Sequence, residues 1–269
     1  MATTTATLTT STLLPHRSLI AVYWKEAKYE FLKNLRLRMY SIATIVFPLM
    51  FYVLFGLVLG GHSSGGFNPA AYLIPTYGTF GVIGASLFGT AAGLAAERGL
   101  GWLQVKRASP MPTLAYFTAK IAMSMAFSAA VVILLMLLGV TCGGVHLPLL
   151  QAAELLGVLV AGSLPFCAMG LAIGYFAGPN SAPATINLIY LPLSFCSGLW
   201  VPIMFLPRLM QQIAKFLPAY HLSQLALNIV GSGRGESSWA HWQFLIGFTL
   251  ICLGVARYGL RRDEGKLYG

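Results

Sequence analysis

The sequence predicts an all-α polytopic membrane protein, and three observations carry that prediction. Hydrophobic residues make up 57% of the 269 residues and charged residues only 9%, where a soluble domain carries about 25%. Mean hydropathy is +0.74. Apolar runs recur six times, each near the ~20 residues that a bilayer core requires of a helix. The 17 basic residues against 7 acidic ones give a net charge of +10. No aqueous domain is available to hold that charge against a nucleic acid, so anionic headgroups and orientation signals account for it better.

Residues 1–16 are Thr-rich and read as a disordered tail. No apolar segment followed by a small-residue cleavage site marks them as a cleavable signal. Residues 17–38 then place Leu19, Ile20, Tyr23, Trp24, Ala27, Phe31, Leu32 and Leu35 on one side of a helix. Lys25, Lys28, Lys33 and Arg36 fall elsewhere around it. Aromatic residues on one side and cations on the other predict a helix lying in the membrane interface. The alternative is a soluble amphipathic helix packed on a core.

Six spans follow, at about 41–61, 71–96, 117–140, 152–177, 183–203 and 240–260. None carries Lys or Arg in its middle, and Glu154 falls at an end. Fourteen basic residues lie on the side of the N-terminal stretch, the 97–120 region and the tail. Arg208, Lys215 and Arg234 alone lie on the other. This bias predicts cytoplasmic N- and C-termini and a cytoplasmic 97–116 segment, although the loop near Gly178–Ser181 on that side is uncharged.

Small residues recur at helical spacing at Gly81, Ala85, Gly89 and Gly93, and again at Gly170, Gly174 and Gly178. Such ladders let helix backbones approach closely in lipid. Packing inside one subunit, a subunit interface and the lining of a transport path all fit them.

Between Pro192 and Pro218 the chain stops resembling a simple span. Pro192, Gly198, Pro202, Pro207 and Pro218 interrupt it, and Leu209, Ile213, Phe216 and Leu217 form a short amphipathic stretch. Broken helix at membrane depth is tolerated only where protein or a water-filled cavity satisfies the backbone. A re-entrant or interfacial helical pair on the outer side is the reading adopted, with a kinked helix and long outer loop as the alternative.

No catalytic or metal constellation is present. Cys142, Cys167, Cys196 and Cys252 are widely spaced without a CxxC pair, and Cys142, near a span end, is the candidate exposed thiol. His62, His146, His221 and His241 occupy four separated positions on the predicted outer side and read as solvated loop histidines. The phosphate-binding loop and HExxH are both missing, so the chain is not expected to hydrolyse ATP by itself. Mid-membrane ionisable groups of the kind that drive gradient-coupled transport are missing too.

The segment Glu97-Arg98-x-x-Gly101, continuing to Lys106-Arg107-Ala108-Ser109-Pro110, is a compact charged element between two spans. With Ser197-Gly198-Leu199-Trp200-Val201-Pro202, then Leu206-Pro207 and Pro218, it resembles the membrane subunits of type-2 ABC (ATP-binding cassette) exporters. The likeness covers nearly the whole chain, with 17–269 as the transmembrane domain. Trp102 departs from it, since many relatives carry a small polar residue there.

The resemblance implies a permease subunit of an ATP-driven exporter in the plasma (bacterial inner) membrane. Residues 97–116 would be the coupling segment, with Glu97, Arg98, Gly101, Lys106, Arg107, Ser109 and Pro110 addressing a cytoplasmic ATPase subunit. Gly198, Pro202, Pro207 and Pro218 would shape the outer re-entrant segment. Two permease copies, identical or not, and two ATPase subunits are implied, with ATP and magnesium held by the ATPase and no cofactor in this chain. Membrane lipids are the other expected partner. A gradient-driven secondary transporter or channel is the competing function.

Overall fold

A computed structural model describes residues 19–60, 68–108 and 112–265. The predicted tail, His62, Ser109, Pro110 and Lys266 lie outside the described residues. Those residues form helices and turns without a strand.

The chain opens with α1 (Leu19–Arg36), then α2 (Arg38–Tyr52), which runs on through a π-helical stretch to Val58. Next come α3 (Pro69–Leu87), a π-helical Phe88–Ala92, and α4 (Gly93–Gly99), stacked as one long rod. Asn68 caps α3 by accepting the Ala71 amide at 3.2 Å, and Pro69 opens its first turn, where a missing N–H costs nothing. Short α5 (Trp102–Ala108) precedes α6 (Thr113–Cys142). Then follow α7 (Leu149–Ala161), α8 (Leu164–Phe176), α9 (Ala182–Cys196), α10 (Arg208–Ala214), α11 (Pro218–Ile229) and α12 (Ser238–Gly265).

Five helical rods are long and apolar enough to cross a membrane: Arg38–Val58, Pro69–Gly99, Leu114–Cys142, Leu149–Phe176 and Ser238–Asp263. The α3–α4 rod is the centre of the bundle. Its hydrophobic window is 78% buried, against 22% for α12 and 28% for the α2 rod. The small-residue ladders explain how neighbours come so close. A Cβ on Gly81 would lie 3.0 Å from Pro48 Cγ of α2, and one on Gly89 would meet Met123 and Ser124 of α6 at 3.0 Å. Gly170 of α8 faces Thr90, and a Cβ on Gly174 would lie 3.0 Å from the Ala91 carbonyl oxygen. Both ladders therefore pack within this one chain.

Two expected spans change shape. The fourth is two helices, because the chain turns at Gly162–Ser163 ahead of Pro165, which lacks the N–H a continuous helix would use. The fifth, expected over 183–203, is only the 15-residue α9. At 1.5 Å per residue it is ~22 Å long, short of the ~30 Å hydrocarbon core. Gly198 ends it with φ +75°, a left-handed conformation that a side chain resists. A short 3₁₀ turn at Ile203–Phe205 and α10 follow. Leu209 and Phe216, from the expected amphipathic stretch, are 67% and 77% exposed, so its apolar face points away from the protein. Helix α11 instead folds back and is buried from Pro218 to Ala219 and through Leu222–Leu227, packed on α3, α7 and α12.

Candidate functional site

Four of the seven acidic residues of the chain converge at the α5 end of the bundle: Glu26, Glu30, Glu97 and Asp263. Glu97 is the hub. It leaves the last turn of α4 only 8% exposed. Its carboxylate accepts from Lys33 of α1, from Lys120 of α6 at 3.3 Å, and from the Tyr116 hydroxyl at 2.5 Å. Lys120 is fully buried and also donates to Glu30 at 2.8 Å. Gly93, one turn before Glu97, makes room for it, since a Cβ there would stand 3.1 Å from Lys120 Nζ.

Lys120 thus belongs to the interior of the bundle. A buried ammonium needs paired carboxylates, and two are supplied. Burial works to raise the Glu30 carboxyl, and the Lys120 ammonium offsets it, leaving Glu30 below its ordinary value. Lys33 moves the other way: burial lowers it, but Glu30 and Glu97 more than reverse that.

The same residues show which positions of α1 meet the bundle. Glu30 and Asn34 are its buried positions, while Leu19, Ile20 and Trp24 are 65%, 81% and 72% exposed. Asn34 Nδ2 donates to the Glu30 carbonyl at 2.9 Å, and Ser41 Oγ donates to the Asn34 carbonyl at 2.7 Å, tying α1 to the start of α2. Glu30 and Asn34 face the bundle together with Phe31, whose ring lies 5.4 Å from that of Phe127, while Lys25, Lys28 and Arg36 are exposed like Leu19, Ile20 and Trp24.

Arg98 reaches the opposite way. Its guanidinium forks onto Asp263 of α12 at 2.7 and 3.3 Å and donates to the Gly174 carbonyl of α8 at 2.9 Å. Gly101, with φ +74°, turns the chain into α5. There Leu103 is 7% exposed and packs with Leu94, Tyr116, Leu171 and Ala256. Leu100, Trp102 and Val105 stand 74%, 56% and 61% exposed. Lys106 donates to Glu26 of α1 at 2.6 Å and lies 4.7 Å over the Tyr116 ring. Arg107 lies in α5.

Helix α5 is therefore a short amphipathic element pinned by Leu103 and by the Lys106–Glu26 ion pair to α1, while α4 just before it is tied to α1 and α6 through Glu97 and to α12 and α8 through Arg98. A sequence profile of the ABC-2 type transporter family matches residues 22–230, spanning α1 through α11. The chain belongs to the ABC-2 type transporter family. It is also similar to a Bacillus subtilis (strain 168) protein bearing the name "Putative transport permease YvfS". The two are 25% identical over 244 residues, covering 90% of this chain and 98% of the relative. Family and bundle together make this a multi-pass membrane permease of an ABC transporter.

At the opposite end of the ABC-2 bundle, Gly198 and Pro202 form the turn after α9, Pro207 precedes α10 and Pro218 opens α11. Here the expectation of separated, solvated histidines holds for the exposed His146 and fails for His221 and His241. His221 Nδ1 and His241 Nδ1 lie 2.8 Å apart, His241 is 2% exposed, and its Nε2 is 3.5 Å from Glu236. Helix α11 folds back against α12 and brings together residues twenty positions apart, which linear spacing cannot show. Among the described residues no group of three or more His, Cys, Asp or Glu is arranged to hold a metal.

Glu26, Glu30, Asn34, Tyr116 and Asp263 were missed as site residues. The available signal was the scarcity of acids: a carboxylate in a chain with seven needs a basic partner nearby.

Proposed function

We propose that this chain is the permease half of an ATP-driven exporter, and that α5 receives the stroke of a cytoplasmic ATPase subunit. The buried ion network around Glu97 and Arg98 carries this reading. A force applied to α5 reaches α1 through Lys106, α6 through Glu97, and α8 and α12 through Arg98. The exposed Val105, with Leu100 beside it, supplies an apolar contact for the ATPase cleft. The bias of basic residues supports a cytoplasmic α5 end and cytoplasmic termini in a bacterial inner membrane.

Two permease copies pair along the α2–α9 face. That face holds a cavity of about 660 Å³ bounded by Thr44, Phe47, Asn187 and Tyr190. Asn187 is polar and exposed midway along α9, and a partner or an aqueous path satisfies it better than lipid. The segment from Gly198 to Ile229 then re-enters at the outer end and caps the path. ATP and magnesium reside in the ATPase.

The test is reconstitution with the ATPase subunit in a variant lacking native cysteines and carrying Val105→Cys. Cross-linking of α5 to the ATPase and ATP-dependent transport are expected. Transport that needs no ATPase and follows a proton gradient would overturn the reading.

A further inference from the structure

Between α1, α4 and α5 lies a second cavity of about 660 Å³, within the roughly 300–1,000 Å³ of small-ligand sites. Its walls are mainly apolar, with the rings of Tyr29, Tyr40, Phe88 and Trp102 around it. It shares Tyr40, Phe88 and Ala92 with the α2–α9 cavity, so the two spaces adjoin at these side chains. Its charges cancel among themselves. Glu26 is paired with Lys106, and Glu30 and Glu97 are paired with Lys33 and Lys120.

We propose that this cavity is a portal that admits an amphiphile of no net charge, with a flat apolar body, and hands it to the α2–α9 cavity. Three carboxylates and two ammonium groups line it, and Lys120, buried behind Glu30 and Glu97, supplies the third ammonium, so no net charge is left for a ligand to answer. An anionic or cationic head would have to break a pair or bury its own charge unmatched, and both are costly. Aromatic faces at the mouth and at the junction reward a flat apolar body with stacking. Tyr29 and Trp102, 65% and 56% exposed, stand where such a molecule leaves the headgroup region. The cargo class inferred here rests on the export reading above.

The test uses two probes that share one aromatic body: uncharged N-phenyl-1-naphthylamine and its sulfonate, 8-anilinonaphthalene-1-sulfonate. Both are titrated into the purified permease in lipid nanodiscs, with empty nanodiscs subtracted. The uncharged probe is expected to bind saturably and about tenfold more tightly than the sulfonate, a ratio equal to ~1.4 kcal/mol. The double variant Tyr29→Ala, Trp102→Ala should lose most of that binding, and both side chains are exposed enough to be removed without unfolding the bundle. Glu26→Gln, which leaves one positive charge in excess, should strengthen sulfonate binding and leave the uncharged probe unchanged.

Equal binding of the two probes, or binding indifferent to the double variant, would overturn the portal and leave only partition into lipid. Failure of the export reading is distinguishable: the uncharged probe would bind as described, yet ATP and the ATPase subunit would not move it across a proteoliposome. ATP-driven transport without any saturable probe binding would retain the exporter and remove the portal.

Discussion

At the scale of single residues, the decisive feature is Lys120, an ammonium with no solvent exposure held between Glu30 and Glu97. Removing one partner from a buried pair costs ~3–5 kcal/mol, because the remaining charges stay desolvated. Lys120→Met should therefore lower the unfolding midpoint sharply, measured by thermal or denaturant titration in detergent. Adding Glu30→Gln and Glu97→Gln should restore most of the loss. The pH dependence follows from the shifts on α1. A depressed carboxyl stabilises above its unfolded value and loses that contribution as pH falls through the folded one. Glu30 lies below its ordinary 4.5. Lys33 is raised above 10.5, so its contribution is complete below that value and fades only at higher pH. Docking of α1 should thus be constant across neutral pH and weaken only at the extremes, in acid below 4.5 and in base above 10.5. Spin labels at the exposed positions Lys28 and Thr118 would report it as a distance that broadens only there. A broadening centred near pH 7 would contradict the assignment.

Elements reveal what a sequence can and cannot disclose here. Lengths and apolarity of the rods at 38–58, 69–99, 114–142 and 238–263 follow from composition alone, since a bilayer imposes them. The break between α7 and α8 was hidden because residues on both sides of Gly162 are equally apolar, leaving no change of period to detect. The early end of α9 had a visible cause in Gly198, but a glycine shows its φ only once folded. The motif positions Glu97, Arg98 and Gly101 were legible; their partners on α1, α6 and α12 were not, because long-range pairing is not written in spacing. One prediction belongs to the α9 turn. A Cβ on Gly198 would meet Ile203 Cβ at 2.9 Å and force a side chain into positive φ. Gly198→Ala should cost about 1–3 kcal/mol from backbone strain and crowding, read as a lowered thermal midpoint. Unaltered stability and transport would show that the turn tolerates another geometry.

For the whole molecule, α2, α9 and α12 all turn apolar residues outward, and the α2–α9 face holds a cavity that includes the polar Asn187. With native cysteines replaced, Val46→Cys and Leu188→Cys, 51% and 76% exposed, should trap a disulfide-linked permease dimer. Leu250→Cys on α12, 65% exposed, should remain monomeric on a non-reducing gel. The reverse pattern would move the path to another face. The central claim is that ATPase motion enters the bundle through the charges on α4 and α5. Transport per ATP hydrolysed, measured in proteoliposomes of the assembled complex carrying Glu97→Gln, tests it most directly. The account predicts that the complex assembles and hydrolyses ATP while transport per ATP falls at least about tenfold, the equivalent of one lost ionic contact of ~1.4 kcal/mol. An unchanged ratio of transport to hydrolysis in that variant would contradict it.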